Sequence, residues 1–328
     1  MTATPGSPAA PENNPAKAIT FILVGMVFIT INDSVIKFLS GDYPLHQMVF
    51  FRSGIGLMFT LVLVQIEGGF QILRTARPVL HLIRALLVVV ANMSFFAALA
   101  VLPLADTNAL FFVSPLLITL LSVPLLGEKV GVRRLLAILV GFLGVLIMIR
   151  PGADGFNVTM LLPLLAASAY ALMQVLTRKL GVASKASAMA AYIQLTFLCV
   201  STGFFIVAGD GRFAEGVTDP SLEFLLRAWV WPASSDWALF ILLGVMSGGV
   251  GYTLSMAYRT ASAATVAPYE YAAMPMSVAV GWYLFGDWPS PTIFLGIAMI
   301  VGSGLYVFLR ESQKSRTIAA LPKRGRAG

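Results

Sequence analysis

An ionisable carboxyl group stands inside a long apolar run. The stretch TVAPYEYAAMP, Thr265 to Pro275, lies within about Ala261 to Phe285 and carries Glu270 between Tyr269 and Tyr271, with Pro268 before and Pro275 after. The run is long enough to cross a bilayer, which takes ~20 residues. A charge at mid-membrane costs at least ~2.5–3.5 kcal/mol on insertion scales. Each proline removes a backbone donor and clashes with the preceding turn. Backbone groups freed in lipid need protein or cavity water as partners, so the combination predicts a helix facing a cavity. Two readings of Glu270 stay open. It neutralises a substrate cation or carries a coupling proton, or it is a structural acid, buried against a basic partner or protonated and hydrogen-bonded.

Other polar residues recur inside apolar runs. The first such run holds Asn32, Asp33, Ser34 and Lys37. Asp33 and Lys37 are four apart, so they share a helix face and pair there, or both are solvated near the outer face. Arg52 is read as a snorkelling arginine at the outer interface in preference to a partner for Asp33. Asn92 lies deep, and a buried amide needs partners, either in a cavity or across to another helix. Tyr170 and Gln174 are again four apart. Tyr252 and Ser255 lie beside GVMSGGVG, and Asn108, Ser114 and Pro115 share one run. For each of these, packing is at least as good a reading as binding. Tyr252, Tyr269 and Tyr271 offer aromatic faces that suit flat rings or cationic groups. The candidate substrate-binding set is therefore Glu270, Tyr269, Tyr271, Tyr252, Asn92, Tyr170, Gln174, Asn32, Asn108 and Ser114. The candidate charge-handling set is Glu270, Asp33, Lys37 and Arg52. His81 and Arg84 are read as topology and interface residues.

No catalytic constellation is legible. His46 and His81 fall near opposite membrane faces, and no Cys/His ligand spacing exists. Neither a nucleophile elbow nor a P-loop occurs, so no metal and no cofactor is expected and the chain does not read as an enzyme. The single cysteine, Cys199, lies in an apolar run and reads as packing. Two alternatives to a carrier are a membrane-embedded enzyme, which needs a clustered acid, histidine or metal set, and a lipid or polyprenol-phosphate flippase. Phosphate handling should place several Lys or Arg in the cavity, whereas nearly all basic residues here fall in loops.

The elements that must position these residues follow from composition. The chain has 328 residues, 58% hydrophobic and 11% charged, against ~25% charged in soluble domains. The pattern predicts an all-α membrane protein with ten transmembrane helices, at about 18–38, 45–66, 79–101, 105–126, 132–149, 158–178, 186–208, 236–258, 262–285 and 290–310. Residues 1–16, rich in Pro, Ala and Asn, read as a disordered tail, and the next run as an uncleaved first span. The long connection Gly209 to Asp236 contains SLEFLLRAWVW, which suits a helix lying at the interface and equally an ordered loop. The formal net charge is +7. Basic residues concentrate in loops on one side, which places both termini in the cytoplasm of a bacterial inner (plasma) membrane and explains the charge without a nucleic-acid partner. Residues 312–328 form a basic cytoplasmic tail.

The halves correspond, 17–152 with 153–311. The fourth and ninth runs each carry a proline, reach Gly plus an acid (Gly127-Glu128, Gly286-Asp287), and precede a Gly-spaced run closing on Arg150 or Arg310. Pro115 occupies nearly the place of Pro275. Five spans per half is odd, so the halves insert in opposite orientation, the inverted-repeat plan of secondary transporters with substrate near the midplane.

The run ALAVLPLADTNALFFVSPLLITLLSVPLLGEKVGVRRLLAILVGFLGVLIMIRPG, Ala98 to Gly152, and its weaker echo in the second half resemble the EamA branch of the drug/metabolite transporter superfamily. The segments TINDSVIKFL, MVFFRSG, ARPVLHLIRALL and ATVAPYEY look like the subgroup of S-adenosylmethionine uptake carriers, where a basic residue can stand in place of Glu270. The resemblance covers Lys17 to Glu311. It implies a central cavity lined by helices one, three, four, six, eight and nine, with five and ten peripheral. Gly141-x-x-Gly144 and Gly302-x-Gly304 suit close backbone approach in those two. The function expected is secondary active transport of a small metabolite, amino-acid-like, an amine or S-adenosylmethionine-like, by alternating access. The partners expected are that substrate, the lipid bilayer and a proton as the candidate coupling ion.

Overall fold

A computed structural model describes residues 14–74, 78–127, 131–150, 157–180, 185–260 and 266–320. Residues 1–13, Glu128, Thr265 and residues 321–328 lie outside that set, as do the side chains of Arg178, Lys179, Arg259, Pro268 and Arg310. The described residues contain helices and no strand.

The helices are α1 (Pro15–Leu39), α2 (Leu45–Glu67), α3 (Pro78–Leu99), α4 (Leu104–Phe111), α5 (Ser114–Leu126), α6 (Val132–Ile149), α7 (Leu161–Leu180), α8 (Ala186–Ala208), α9 (Pro220–Leu226), α10 (Trp237–Thr260), α11 (Ala273–Phe285) and α12 (Pro291–Ala320). Seven stretches are long and apolar enough to cross a membrane, and Leu135–Ile149 and Pro291–Val307 are shorter apolar helices. The first helix starts earlier than the sequence predicts. Asn14 caps it by accepting from the Lys17 N–H at 3.1 Å, with proline in its first turn. The last helix runs ten residues past its predicted end, to Ala320.

Two predicted spans are discontinuous. The fourth breaks into α4 and α5 at Phe112 and Val113, because Pro115 has no N–H to give the Phe111 carbonyl. The ninth opens as a 3₁₀ turn, Ala267–Ala272, and becomes α-helical at Ala273, since Pro275 cannot donate to the Tyr271 carbonyl. The two C-terminal pieces match. Each is 13 residues long with proline in its first turn, and each ends on a left-handed glycine, Gly127 and Gly286, both at φ 70°.

Packing is pairwise: α1 lies along α10, α3 along α7, α2 along α8 and α6 along α12, while α2 also packs on α10. The α6–α12 pair touches the rest of the bundle lightly and turns Leu136, Leu139 and Leu143 outward. Gly144 and Gly296 let the two backbones meet there: a Cβ added to either would stand 3.0 Å from the other's carbonyl oxygen. In the predicted Gly302-x-Gly304 pair, Gly302 faces open space and Gly304 is approached closely by the Tyr271 ring, not by a backbone. Cys199 is exposed on α8, not packed.

The connection from Gly209 to Asp236 is an ordered cap rather than a long interfacial helix. Only Pro220–Leu226 is helical, started by Asp219 accepting from the Leu222 N–H at 2.9 Å. The rest is fastened to the turn between α1 and α2. Arg227 donates to the carbonyls of Ser40, Gly41 and Tyr43. Trp229 packs among His46, Phe50, Phe51 and Phe205.

Candidate functional site

Glu270 lies half-buried on the 3₁₀ turn of the ninth span. It is close enough to Tyr170 and Tyr271 to act on both phenols electrostatically. Tyr170 is the hub of this region. Its hydroxyl accepts from Gln174 Nε2 at 2.7 Å, one helical turn on, so the predicted i, i+4 pair forms. Its ring meets Phe111 of α4 at 5.4 Å, and Phe111 meets Phe95 of α3 at 5.3 Å. Arg84 of α3 is buried and within electrostatic reach of Tyr170. An acid, an arginine, a phenol, an amide and an edge-to-face aromatic wall therefore converge from α3, α4, α7 and the 3₁₀ turn. Such a set can hold a flat, polar molecule by ring contacts and charge.

A second polar centre joins α1, α2 and α3. Arg52 is buried, not snorkelling: its guanidinium lies between Phe96 and Phe197, at 5.4 and 5.2 Å, and Nη2 donates to Asn92 Oδ1 at 3.4 Å. Aromatic faces on both sides replace the water that the cation loses. Asp33 is within electrostatic reach of Arg52 without a direct ion pair, and accepts from Asn32 Nδ2 at 3.3 Å. Asn92 also donates to the Val88 carbonyl at 3.2 Å. It lines a small, partly enclosed pocket with His46, Val89, Phe197, Ser201 and Phe204. That pocket lies among α2, α3 and α8, away from Glu270, and its walls are almost wholly apolar.

The predicted Asp33–Lys37 pair does not form. Lys37 Nζ instead lies 3.7 Å from Asp287 Oδ2, donates to the carbonyls of Leu102 at 2.6 Å and Leu99 at 3.4 Å, and sits 5.3 Å from the Phe285 ring. The end of α11 approaches this face of α1 and offers a better-placed carboxylate than the next turn of the same helix.

The remaining candidates separate. Tyr271 is buried in the core against Phe112, with its ring packed so closely on Gly304 that any Cβ there would collide with the hydroxyl. It therefore offers no free face. Tyr269 is exposed, and Tyr252 is half-buried with its ring edge-on to Phe21 at 6.5 Å. Asn108 bonds its own helix, Nδ2 to the Leu104 carbonyl at 3.1 Å, and Ser114 is buried at the start of α5. The residues missed are Arg84, Phe111, Asp106 and Asp287. Arg84 sits three residues from His81 near a helix start and reads as a topology residue. The acid after Gly286 was visible, but nothing local ties it to Lys37.

At the capped end, the Tyr43 hydroxyl donates to Asp236 Oδ2 at 2.7 Å and accepts from the Ala233 N–H at 3.0 Å. Burial, aided by the nearby Asp236 and Asp42, pushes its phenol above the ordinary tyrosine value. Among the described residues no group of His, Cys, Asp or Glu is arranged to hold a metal ion.

A family model described as the EamA-like transporter family matches residues 16–150. The chain is 31% identical over 303 residues to a riboflavin transporter of Vibrio cholerae serotype O1, covering 91% of this chain and 95% of that protein. It is 25% identical over 295 residues to an S-adenosylmethionine uptake transporter of Rickettsia prowazekii, covering 90% and 93%. A solved crystal structure of a protein superposes with a TM-score of 0.63 at 21% identity, covering 91% of this chain and 99% of that one. That likeness speaks to the fold alone.

Proposed function

The chain belongs to the EamA-like transporter family of the drug/metabolite transporter superfamily, and from that premise we propose that it is a secondary carrier of a small metabolite bearing a flat nitrogen heterocycle. The observation that carries this reading is the meeting of Glu270, Tyr170 and Arg84 beside the Phe95–Phe111 wall, at the junction of the two halves. Riboflavin and S-adenosylmethionine, the molecules named for the two relatives, differ in charge but share such a ring. A ring lying on Tyr170 and Phe111 would place its polar edge beside Glu270.

Alternating access is supported by the packing. Exchanging each helix for its counterpart in the other half turns the α1–α10 contact into α7–α3 and maps α2–α8 and α6–α12 onto themselves. The broken fourth and ninth spans, with their matched 13-residue ends, are likewise exchanged. We read this as ten spans in two inverted repeats, 17–152 and 153–311, which rock about the site. Lys17, Arg74 and Lys185 mark the cytoplasmic end of the bundle and all five tryptophans the other end. With that orientation the cap from Gly209 to Asp236 is external, the termini are cytoplasmic and the membrane is a bacterial inner membrane.

Glu270 then carries the coupling proton or balances a substrate cation. Arg84 favours a second reading, in which the substrate carries an anionic group. Arg52 and Arg84 are both buried within helices and not in loops, so basic groups for an anion are present inside the bundle. Uptake of labelled riboflavin and S-adenosylmethionine into proteoliposomes, with and without an inward proton gradient, tests the proposal. Saturable uptake of either supports it. Wild-type protein that moves neither, and whose melting temperature is raised by no other heterocycle, removes the substrate class. Loss of uptake of anions alone in Arg84→Gln would establish the second reading.

A further inference from the structure

Lys37 is the one point at which four elements of the bundle share a single cation among the described ion pairs. It belongs to α1. Its ammonium meets two carbonyls at the end of α3, Leu99 and Leu102, and the carboxylate of Asp287 just beyond α11. Asp106 of α4 is within electrostatic reach of both Lys37 and Asp287. Three of these elements come from the first half of the chain and one from the second. An ammonium has three donors; two go to the carbonyls and the third is directed to Asp287.

We propose that Lys37, Asp106 and Asp287 form a latch that holds the outer ends of the two halves together and must part before the Glu270 region faces outward. The proposal rests on the carrier reading and adds a moving part to it. Three features suit a latch better than a permanent brace. The Lys37–Asp287 contact is long, at 3.7 Å, beyond hydrogen-bond distance, so little is lost when it opens. The site holds one cation for two carboxylates. Asp106 Oδ1 is buried with no hydrogen-bond partner, a cost that separation of the halves would relieve by admitting water. The left-handed Gly286 turns the chain so that Asp287 points back at α1, and its N–H is held by the Gly281 carbonyl at 3.0 Å. The latch therefore moves with α11 as one piece. Trp282 and Trp288, both largely exposed and 5.7 Å apart ring to ring, flank it and set it at the level of the interface.

The test uses full-length protein in proteoliposomes, with Cys199→Ser and a reporter cysteine at Asn108, deeper in α4 than Asp106. The rate of labelling by a membrane-impermeant maleimide from the outer side is the readout. Asp287→Asn should raise it up to ~5-fold, the shift expected when a weak ion pair is lost from one of two states. Lys37→Gln should raise it further, because two carboxylates then repel across the seam. Lys37→Arg, which keeps a cation and its donors for the two carbonyls, should stay near the parent rate. Labelling at the parent rate in both Asp287→Asn and Lys37→Gln would overturn the latch, and so would a Lys37→Arg protein that labels as fast as Lys37→Gln. The readout needs no substrate. A protein that transports nothing but still shows the three rates would sink the carrier reading and leave the latch standing.

Discussion

Tyr271 and Phe112 stand at the breaks of the two discontinuous spans, and their rings meet at 5.5 Å. The breaks thus face one another across the centre of the bundle. The 3₁₀ turn that carries Glu270 is held from behind by this contact and by the seat of Tyr271 on Gly304. Tyr271 positions its neighbour and presents no face to a ligand.

Gly304 is accordingly a sensitive position. Gly304→Ala should cost ~1–3 kcal/mol, the usual range for overpacking a tight core, and should also lower transport by displacing Glu270. Tyr271→Phe removes the atom first struck. The double variant should melt closer to wild type than the sum of the two single losses, because residues in contact do not add. Thermal unfolding of the four proteins measures this.

Tyr170 separates ring from hydroxyl. Tyr170→Phe keeps the contact with Phe111 but leaves Gln174 without its acceptor. It should weaken apparent affinity by roughly 5–10-fold, about the worth of one hydrogen bond. Tyr170→Ala removes the wall and should abolish saturable uptake. Initial-rate curves that give equal KM for wild type and both variants would take Tyr170 out of the site.

Much of this was legible in the sequence, and the gaps have physical causes. Periodicity and hydropathy located the long apolar helices among the described residues, and the prolines marked both breaks. They did not show that the fourth and ninth spans actually divide, since a proline can also kink a helix without ending it. Spacing found the Tyr170–Gln174 pair because its geometry is local. The same rule misled for Asp33 and Lys37. There the partner of Lys37 comes from 250 residues away, brought by the packing of α1 on α11, which no local pattern encodes. Arg52 was placed at the interface because an unpaired cation inside lipid is costly. The sequence could not show that Phe96 and Phe197 close over it.

Arg52 yields a prediction of its own. Removing one member of a buried charge set typically costs 3–5 kcal/mol, much of it from the charge left behind. Arg52→Ala should therefore destabilise by about that much. Asp33→Asn in the same protein should recover part of the loss, because it removes the carboxylate that Arg52 balances. Arg52→Lys should not restore wild-type stability, since an ammonium lacks the plane that fits between two rings. Melting curves in detergent decide the order.

The cap has a pH signature. The Tyr43 phenol is raised in the folded protein, so its contribution is fully present below the unfolded value of about 10 and is lost as pH rises through the raised folded value. Hydrogen exchange at residues 220–236 should speed up in that alkaline window. In Tyr43→Phe the cap should be weaker by about 1 kcal/mol at neutral pH and show no such step. A step of equal size in the variant would assign it to another group.

On the proposed mechanism a small metabolite is carried at the Glu270–Tyr170 junction. Solute counterflow tests it most directly, because exchange through one site needs no gradient. Proteoliposomes preloaded with unlabelled riboflavin or S-adenosylmethionine should transiently concentrate the labelled compound with wild-type protein. With Glu270→Gln the exchange should fall at least ~10-fold, or lose its dependence on pH if the carboxyl group carries the proton. Counterflow by Glu270→Gln at the wild-type rate and with the wild-type pH profile would contradict it.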